Sequence, residues 1–225
     1  MLKRWLCLFL LPLTLLADDC SDCQGCRGKI DVAYTYLEVD FIEANRTVDS
    51  YYMKGARVAI DYFIWKPLLF RATALNAWES AHFQAYSAGL GVCLPYKKLY
   101  ITPSAGATWT RFSGELDIPT FFLFGLKNKF RSLGPYVAID VQWCITEDWR
   151  IGGSFQYSWS HTHTEVVGLM KAKDNSKGPT WSVLLEHDIN KKWSVNIGGA
   201  INRSLNHERN GIKGQGVKAG ITYWL

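Results

Sequence analysis

The chain has 225 residues, a formal net charge of +5, and compositions of 48% hydrophobic and 14% aromatic residues. The length fits one domain, the charge is too small to point to nucleic acid, and no stretch approaches the roughly 18 apolar residues of a transmembrane helix. An aromatic- and glycine-rich chain without helical periodicity belongs to the all-β class.

The opening MLKRWLCLFLLPLTLLADDC carries two basic residues, an apolar run from Trp5 to Leu16 and a small Ala17. It has the build of a secretory signal peptide over 1–17, cleaved after Ala17. Asp18 and Asp19 stand where a lipobox before Cys20 needs small apolar residues. Cleavage leaves 208 residues and, without Lys3 and Arg4, a net charge of +3.

Residues 18–28 form a Cys-rich arm with Cys20, Cys23 and Cys26 in CSDCQGC. The spacing suits a metal knuckle, but no fourth ligand lies near in sequence, and in an oxidising compartment disulfides are the default. Cys93 and Cys144 bring the mature total to five, an odd number. At least one is therefore free or pairs with another molecule, which makes disulfide-linked envelope proteins candidate partners. Cys93 and Cys144 sit two strands apart, about 10 Å, too far for a direct bridge but within reach of the arm.

From residue 29 onward the dominant signal is alternation with period two. Ten strands are predicted, at 29–41, 55–65, 68–78, 82–94, 99–111, 130–144, 149–164, 179–189, 193–205 and 215–225. In WRIGGSFQYSWSHTHT (149–164) one parity is apolar and aromatic and the other small and polar. The first strand loses its apolar parity near Tyr36–Leu37, which predicts a bulge. Short turns fall at Lys66-Pro67, 95–98, 145–148 and 190–192. Longer loops are expected at 42–54, 112–129, 165–178 and 206–214.

Short turns on one side and long loops on the other form the pattern of a transmembrane, antiparallel, up-and-down β-barrel of about ten strands, within a range of about 8–12. Residues 29–225 make up this barrel, with both termini on the periplasmic side. The rival all-β reading is a secreted barrel or sandwich with an apolar core. The Ser, Thr, Gly, Gln and Asn of the polar parity lack the Lys and Glu of a water-facing surface, which favours a polar lumen inside a lipid-facing wall.

The outward parity places Trp109, Trp143, Trp149, Trp159, Trp181, Trp193 and Tyr223 in aromatic girdles. Trp149 and Trp193 each lead into a Gly-Gly pair (152–153 and 198–199), expected to ease curvature and close approach. Inward charges are Arg57, Asp61, Arg71, Asp140, Arg150, Glu186 and Lys218, with Asp31 and Asp188. They form either a network of ion pairs filling a narrow lumen or a polar path for small solutes, and ten strands sit near the filled end of the barrel series.

His161 and His163 in SHTHTE face outward at the loop end of strand seven. Some outer-membrane lipid deacylases carry a His-x-Ser pair on that side; here the second position is His163. Omptin-type proteases have ten strands but need acidic and Asp-His pairs at the rim, with no clear counterpart in this chain. The loop 115–131 carries Phe121, Phe122, Leu123 and Phe124 in a row. Its Lys127, Lys129 and Arg131, with Lys171, Lys173 and Lys177 of the next loop, are placed to meet lipopolysaccharide phosphates. In GVKAGITYWL, Val217, Ile221, Tyr223 and Leu225 match the C-terminal signal read by the β-barrel assembly machinery, with Leu225 in place of the usual Phe or Trp.

The chain thus resembles bacterial outer-membrane β-barrel proteins. More narrowly, YFIWKP (62–67), LYITPSAGATW (99–109) and FRSLGPYVAIDVQW (130–143) are similar to phrases of the Legionella-type pore-forming major outer-membrane proteins. The resemblance implies an outer-membrane location, lipid and lipopolysaccharide as surroundings, no cofactor or metal, no catalysis, and a porin-like or envelope-structural role. The alternatives are a surface adhesin or structural barrel with a plugged lumen, and a lipid-modifying enzyme using His161 and His163.

Overall fold

The computed structural model describes residues 26–118, 123–166 and 170–225; the signal-peptide segment, Cys20, Cys23, Phe121 and Phe122 lie outside them. The strands are β1 (Lys29–Glu43), β2 (Arg46–Trp65), β3 (Leu68–Glu79), β4 (Ala81–Val92), β5 (Leu94–Tyr96), β6 (Leu99–Ile118), β7 (Leu123–Cys144), β8 (Trp149–Val166), β9 (Met170–Asp188), β10 (Trp193–Leu205) and β11 (Gly211–Trp224). All pairings are antiparallel. β5 is a three-residue piece of a turn; β4 pairs past it with β6, and β1 pairs with β11, so ten strands close into a barrel.

The alternation decides which face looks where. On β8 the outward set Trp149, Ile151, Phe155, Tyr157 and Trp159 is apolar, while Arg150, Ser154, Gln156 and Ser158 point into the lumen. On β7, Leu133, Val137, Ile139, Val141 and Trp143 are exposed on the outer wall. The outer band from Trp149 to Trp159 measures about 33 Å along the strand, or about 25 Å in height once the strand is tilted by about 40°.

Above that band the pattern inverts on β1 and β2. On β1, Val32, Tyr34 and Tyr36 face out and are exposed, whereas Leu37, Val39 and Phe41 turn inward into an apolar cluster. On β2, Tyr62, Ile60 and Val58 face out lower down, and Met53 and Tyr51 are buried inside higher up. The β1–β2 register runs unbroken from Lys29 to Phe41 and shifts only at Phe41/Ile42. The bulge expected near Tyr36–Leu37 is therefore absent. The parity of the strand never changes; its surroundings do, from apolar outside and polar inside to polar outside and apolar inside.

The expected long loops are corrected for the same reason. Residues 42–54 are mostly strand, with a two-residue turn at Ala44-Asn45, both at positive φ (48° and 67°), as a tight hairpin requires. The described residues 112–118 and 123–129 continue the pairing of β6 with β7, residues 165–166 and 170–178 that of β8 with β9, and 206–214 reduces to a turn before β11 at Gly211. These hairpins stand well above the band on β6–β9, but β3 and β4 end early, at Glu79 and Ala81. The short-turn end carries Lys66-Pro67, a cis peptide, and the turns between β7 and β8 and between β9 and β10.

The Gly-Gly pairs prove to share a strand. Gly153 and Gly199 both lie opposite Val183, and Gly152 and Gly198 opposite Leu184, so they flank two large residues of β9. Close approach belongs to Gly198 alone among the four, where a Cβ would stand 2.6 Å from the Val183 carbonyl oxygen. The tightest requirements lie elsewhere: a Cβ on Gly134 would fall 1.7 Å from the Trp159 carbonyl oxygen, and one on Gly178 1.7 Å from the Arg203 carbonyl oxygen. Gly134→Val is expected to cost about 1–3 kcal/mol through forced displacement of β8. Gly152→Ala, whose nearest neighbour would be an ordinary 3.6 Å away, should leave the urea-unfolding midpoint of the detergent-folded barrel nearly unchanged.

Candidate functional site

The lumen is built in tiers. At the short-turn end, β8, β9, β10, β11 and β1 contribute a polar and aromatic half-floor. Trp224, 1% exposed, points inward with the Arg150 guanidinium 4.6 Å and the Lys29 ammonium 5.4 Å from its ring centroid. Its indole N–H donates to Ser194 Oγ (3.2 Å), whose hydroxyl donates to Glu186 (2.6 Å). Arg150 forks onto Asp188, one bond at 2.8 Å, and its Nε lies 3.4 Å from Glu186.

The other half of the floor is apolar and covalently anchored. Leu69, Cys93, Tyr100 and Cys144 are buried together, with Cys26 and Phe63 against them. A disulfide joins Cys26, just before β1, to Cys93 at the end of β4, which ties the base of the arm to the far side of the barrel mouth. Cys144, at the end of β7, is also disulfide-bonded. Arg27 donates to the carbonyls of Lys191 (3.3 Å) and Leu225 (3.2 Å), pinning the arm to the opposite rim.

Above the floor lies a cavity of about 550 Å³. Two charge clusters cross it. Asp31 accepts from Arg57 (2.7 Å), Lys218 (2.8 Å) and Asn196 (2.6 Å). Arg71 holds Asp61 through two bonds (2.9 and 3.1 Å) and reaches over to Asp140 on β7. Each of these charges thus has an opposite charge in contact, and Asp31 adds a neutral donor in Asn196; pairing of this kind is what lets ions persist away from bulk water.

On the β1–β4, β6 and β7 side the hairpin end is filled by the apolar cluster of Val39, Tyr51, Met53, Ala77, Ala81, Phe112 and Phe130, with Leu37, Phe41, Phe83 and Ile212 packed against it, while β8–β10 turn Ser160, Thr162, Ser176 and Ser204 inward. Phe112 is the hub: its ring centroid lies 4.9 Å from those of both Phe41 and Tyr51, in edge-to-face geometry.

Arg57, Asp61, Arg71, Asp140, Arg150, Glu186 and Lys218 all line the cavity, sorted into three separate ion-pair groups. On the outer wall Trp143, Trp149, Trp159, Trp181 and Trp193 are exposed, while Trp109 stacks on Tyr86 (5.4 Å) and Tyr223 packs on Trp193 (4.9 Å), leaving both half-buried. Val217, Ile221 and Leu225 are exposed. His161 is exposed, with Nδ1 2.5 Å from Asn175 Oδ1, and His163 is exposed one outward position higher. Among the described residues no group of three or more His, Cys, Asp or Glu is placed to hold a metal ion. Above the band Lys54 donates to Glu79 (2.9 Å), and that carboxylate holds the ammonium above the usual lysine range.

Sequence reasoning missed the apolar cluster, because 42–54 and 112–129 were assigned to loops; the lost parity at Tyr36–Leu37 was its signal. It also missed the inward role of Trp224, although its parity was already inward.

No family model matches the chain, and no curated protein matches it. Solved structures do. The outer membrane protease OmpT from Escherichia coli aligns with a TM-score of 0.57 at 14% identity, over 89% of this chain and 97% of that one. Neisserial surface protein A gives 0.49 at 8% identity, over 88% and 97%. The attachment invasion locus protein Ail of Yersinia pestis gives 0.46 at 8%, over 88% and 99%. The likeness to OmpT is one of fold: a closed, antiparallel barrel. The narrower Legionella-type family is not shown by these comparisons.

Removing the central anion tests the charge network. Asp31→Asn leaves Arg57 and Lys218 facing each other without their shared carboxylate, and is expected to destabilise the barrel by about 3 kcal/mol. Asp31→Asn with Lys218→Met should recover part of that loss in the same denaturant titration.

Proposed function

We propose that the protein is an integral outer-membrane barrel with a sealed lumen, serving as a structural or surface-presenting element of the envelope. The observation that carries this reading is the inverted alternation. An apolar outer band about 25 Å tall, edged by aromatic residues, fits the hydrocarbon layer. Above it β1–β4, β6 and β7 acquire the apolar interior of a protein in water, while β8–β10 keep Ser160, Thr162, Ser176 and Ser204 inside. Such a wall belongs to a barrel that crosses a bilayer and stands out of it, with the short turns and the disulfide-anchored arm on the periplasmic side.

A sealed lumen is favoured over an open one by the two closures, the arm below and the Phe112 cluster above, with paired charges between them. The porin-like reading keeps one specific support, the polar cavity itself, and needs both closures to open. A catalytic reading through His161 and His163 needs a further group; Asn175 supplies a hydrogen bond but no nucleophile.

Planar-bilayer recording decides between sealed and open barrels. The wild-type protein, folded and showing heat-modifiable migration, is expected to be silent. Phe112→Ala with Cys26→Ser opens both ends and is expected to give ohmic steps if it retains the folded migration. Steady conductance of the wild type would overturn the sealed reading. A protein that stays soluble and monomeric without detergent would overturn the membrane assignment itself.

A further inference from the structure

The outer wall just above the aromatic edge is chemically uneven. On the β1–β3 and β10–β11 side Lys54 is ion-paired with Glu79 (2.9 Å) and Lys213 with Asp40 (3.8 Å), and Arg203 donates to the neutral Asn45 (2.7 Å). The β6–β9 side carries a row of basic residues set against one another. Arg111 lies directly opposite Arg131, Arg131 opposite His163, and His163 opposite Lys173. All four point outward and are exposed, one on each of four consecutive strands. Among the described residues none of the four makes an ion pair with an acidic side chain.

Three of these residues carry fixed positive charge, and the cross-strand neighbours lie about 5 Å apart, where like charges repel. The barrel keeps this repulsion in one row, while Lys54 and Lys213 on the other side of the wall are ion-paired. An external anion removes the conflict. The row's height identifies its source. It sits one outward position above Trp109 and Leu133, which are directly opposed and mark the top of the apolar band. In the membrane setting argued above, that is the depth of lipid headgroups. Two arginines side by side present guanidinium forks suited to phosphate oxygens.

We propose that Arg111, Arg131, His163 and Lys173 form a binding site for the phosphate groups of a lipid headgroup in the leaflet at the hairpin end, as offered by a phosphorylated glycolipid. The site rests on the membrane reading. It differs from the loop lysines considered from sequence in being a defined row on rigid paired strands, with Arg111 and His163 as members. The wall below supplies acyl-chain contacts, so headgroup and chains are held by the same four strands.

Wild type, Arg111→Gln/Arg131→Gln and Lys54→Gln, all purified in detergent and checked for heat-modifiable migration, are compared by native mass spectrometry with a bisphosphorylated glycolipid. The probe is also used after phosphatase treatment, and inorganic phosphate is added as competitor. Wild type and Lys54→Gln are expected to retain the phosphorylated lipid about tenfold or more better than the double arginine variant, the scale of two lost phosphate contacts. The dephosphorylated lipid should bind no better to wild type than to that variant. Equal retention by wild type and the arginine variant overturns the site. Displacement of the lipid by millimolar inorganic phosphate overturns the assignment to a lipid headgroup. If no detergent is needed for solubility, the membrane reading fails instead; a detergent-requiring barrel without phosphate selectivity fails this proposal alone.

Discussion

A sheet with an apolar outer face is tolerated in lipid only when it has no free edge, because hydrocarbon offers no partner to an unpaired N–H or C=O. Closure is therefore the constraint on which the rest of this structure depends. It is met at two seams. β1 and β11 pair over nearly their full lengths, from Lys29 with Trp224 to Ile42 with Gly211. β4 reaches β6 past the small β5, from Ala81 with Gly114 to Gly91 with Ser104. With the ring closed, each side chain can go only outward or inward, and the chemistry of the wall follows from parity alone.

Most of the barrel was legible for that reason. Ten strands, the end carrying the short turns, the lumen charges and the outward tryptophans all follow from a period of two inside the band. Legibility failed where the surroundings changed. At Tyr36–Leu37 the apolar set switches parity because β1 leaves the band, and a pattern rule that assumes one environment sees a bulge or a loop. Met53, Tyr51 and Phe112 belong to stretches assigned to loops on that ground, yet they are among the most buried side chains. The Gly-Gly pairs were visible, but their common neighbours Val183 and Leu184 are a matter of register, which one strand's pattern does not contain. Cys26 and Cys93 were visible as candidates; their pairing is a long-range fact, 67 residues apart in the chain.

The two closures differ in physical kind. The lower one combines a covalent link with a charged and aromatic cluster in which Arg150, Glu186 and Trp224 are nearly inaccessible. Dissolving it means breaking a disulfide and exposing paired ions. The upper one is ordinary side-chain packing, where Phe112, Phe41 and Tyr51 meet edge to face. Packing of this kind is dense and adapts poorly to lost volume. The lumen charges between the closures are mutually neutralised, so they hold the strands together without presenting a strong net field to a passing ion.

What remains uncompensated is outside. The barrel pairs Asp31, Asp61, Asp140, Glu186 and Asp188 with basic partners in its interior and pairs Lys54 on its rim. It leaves Arg111 facing Arg131 on the one stretch of wall where the tallest hairpins begin. A wall that ion-pairs Lys54 and Lys213 but sets Arg111, Arg131, His163 and Lys173 in one row on β6–β9 has a preferred side. On the site proposed above, that side would present cations to lipid headgroups and Trp109, Leu133 and Trp159 to the acyl chains below them.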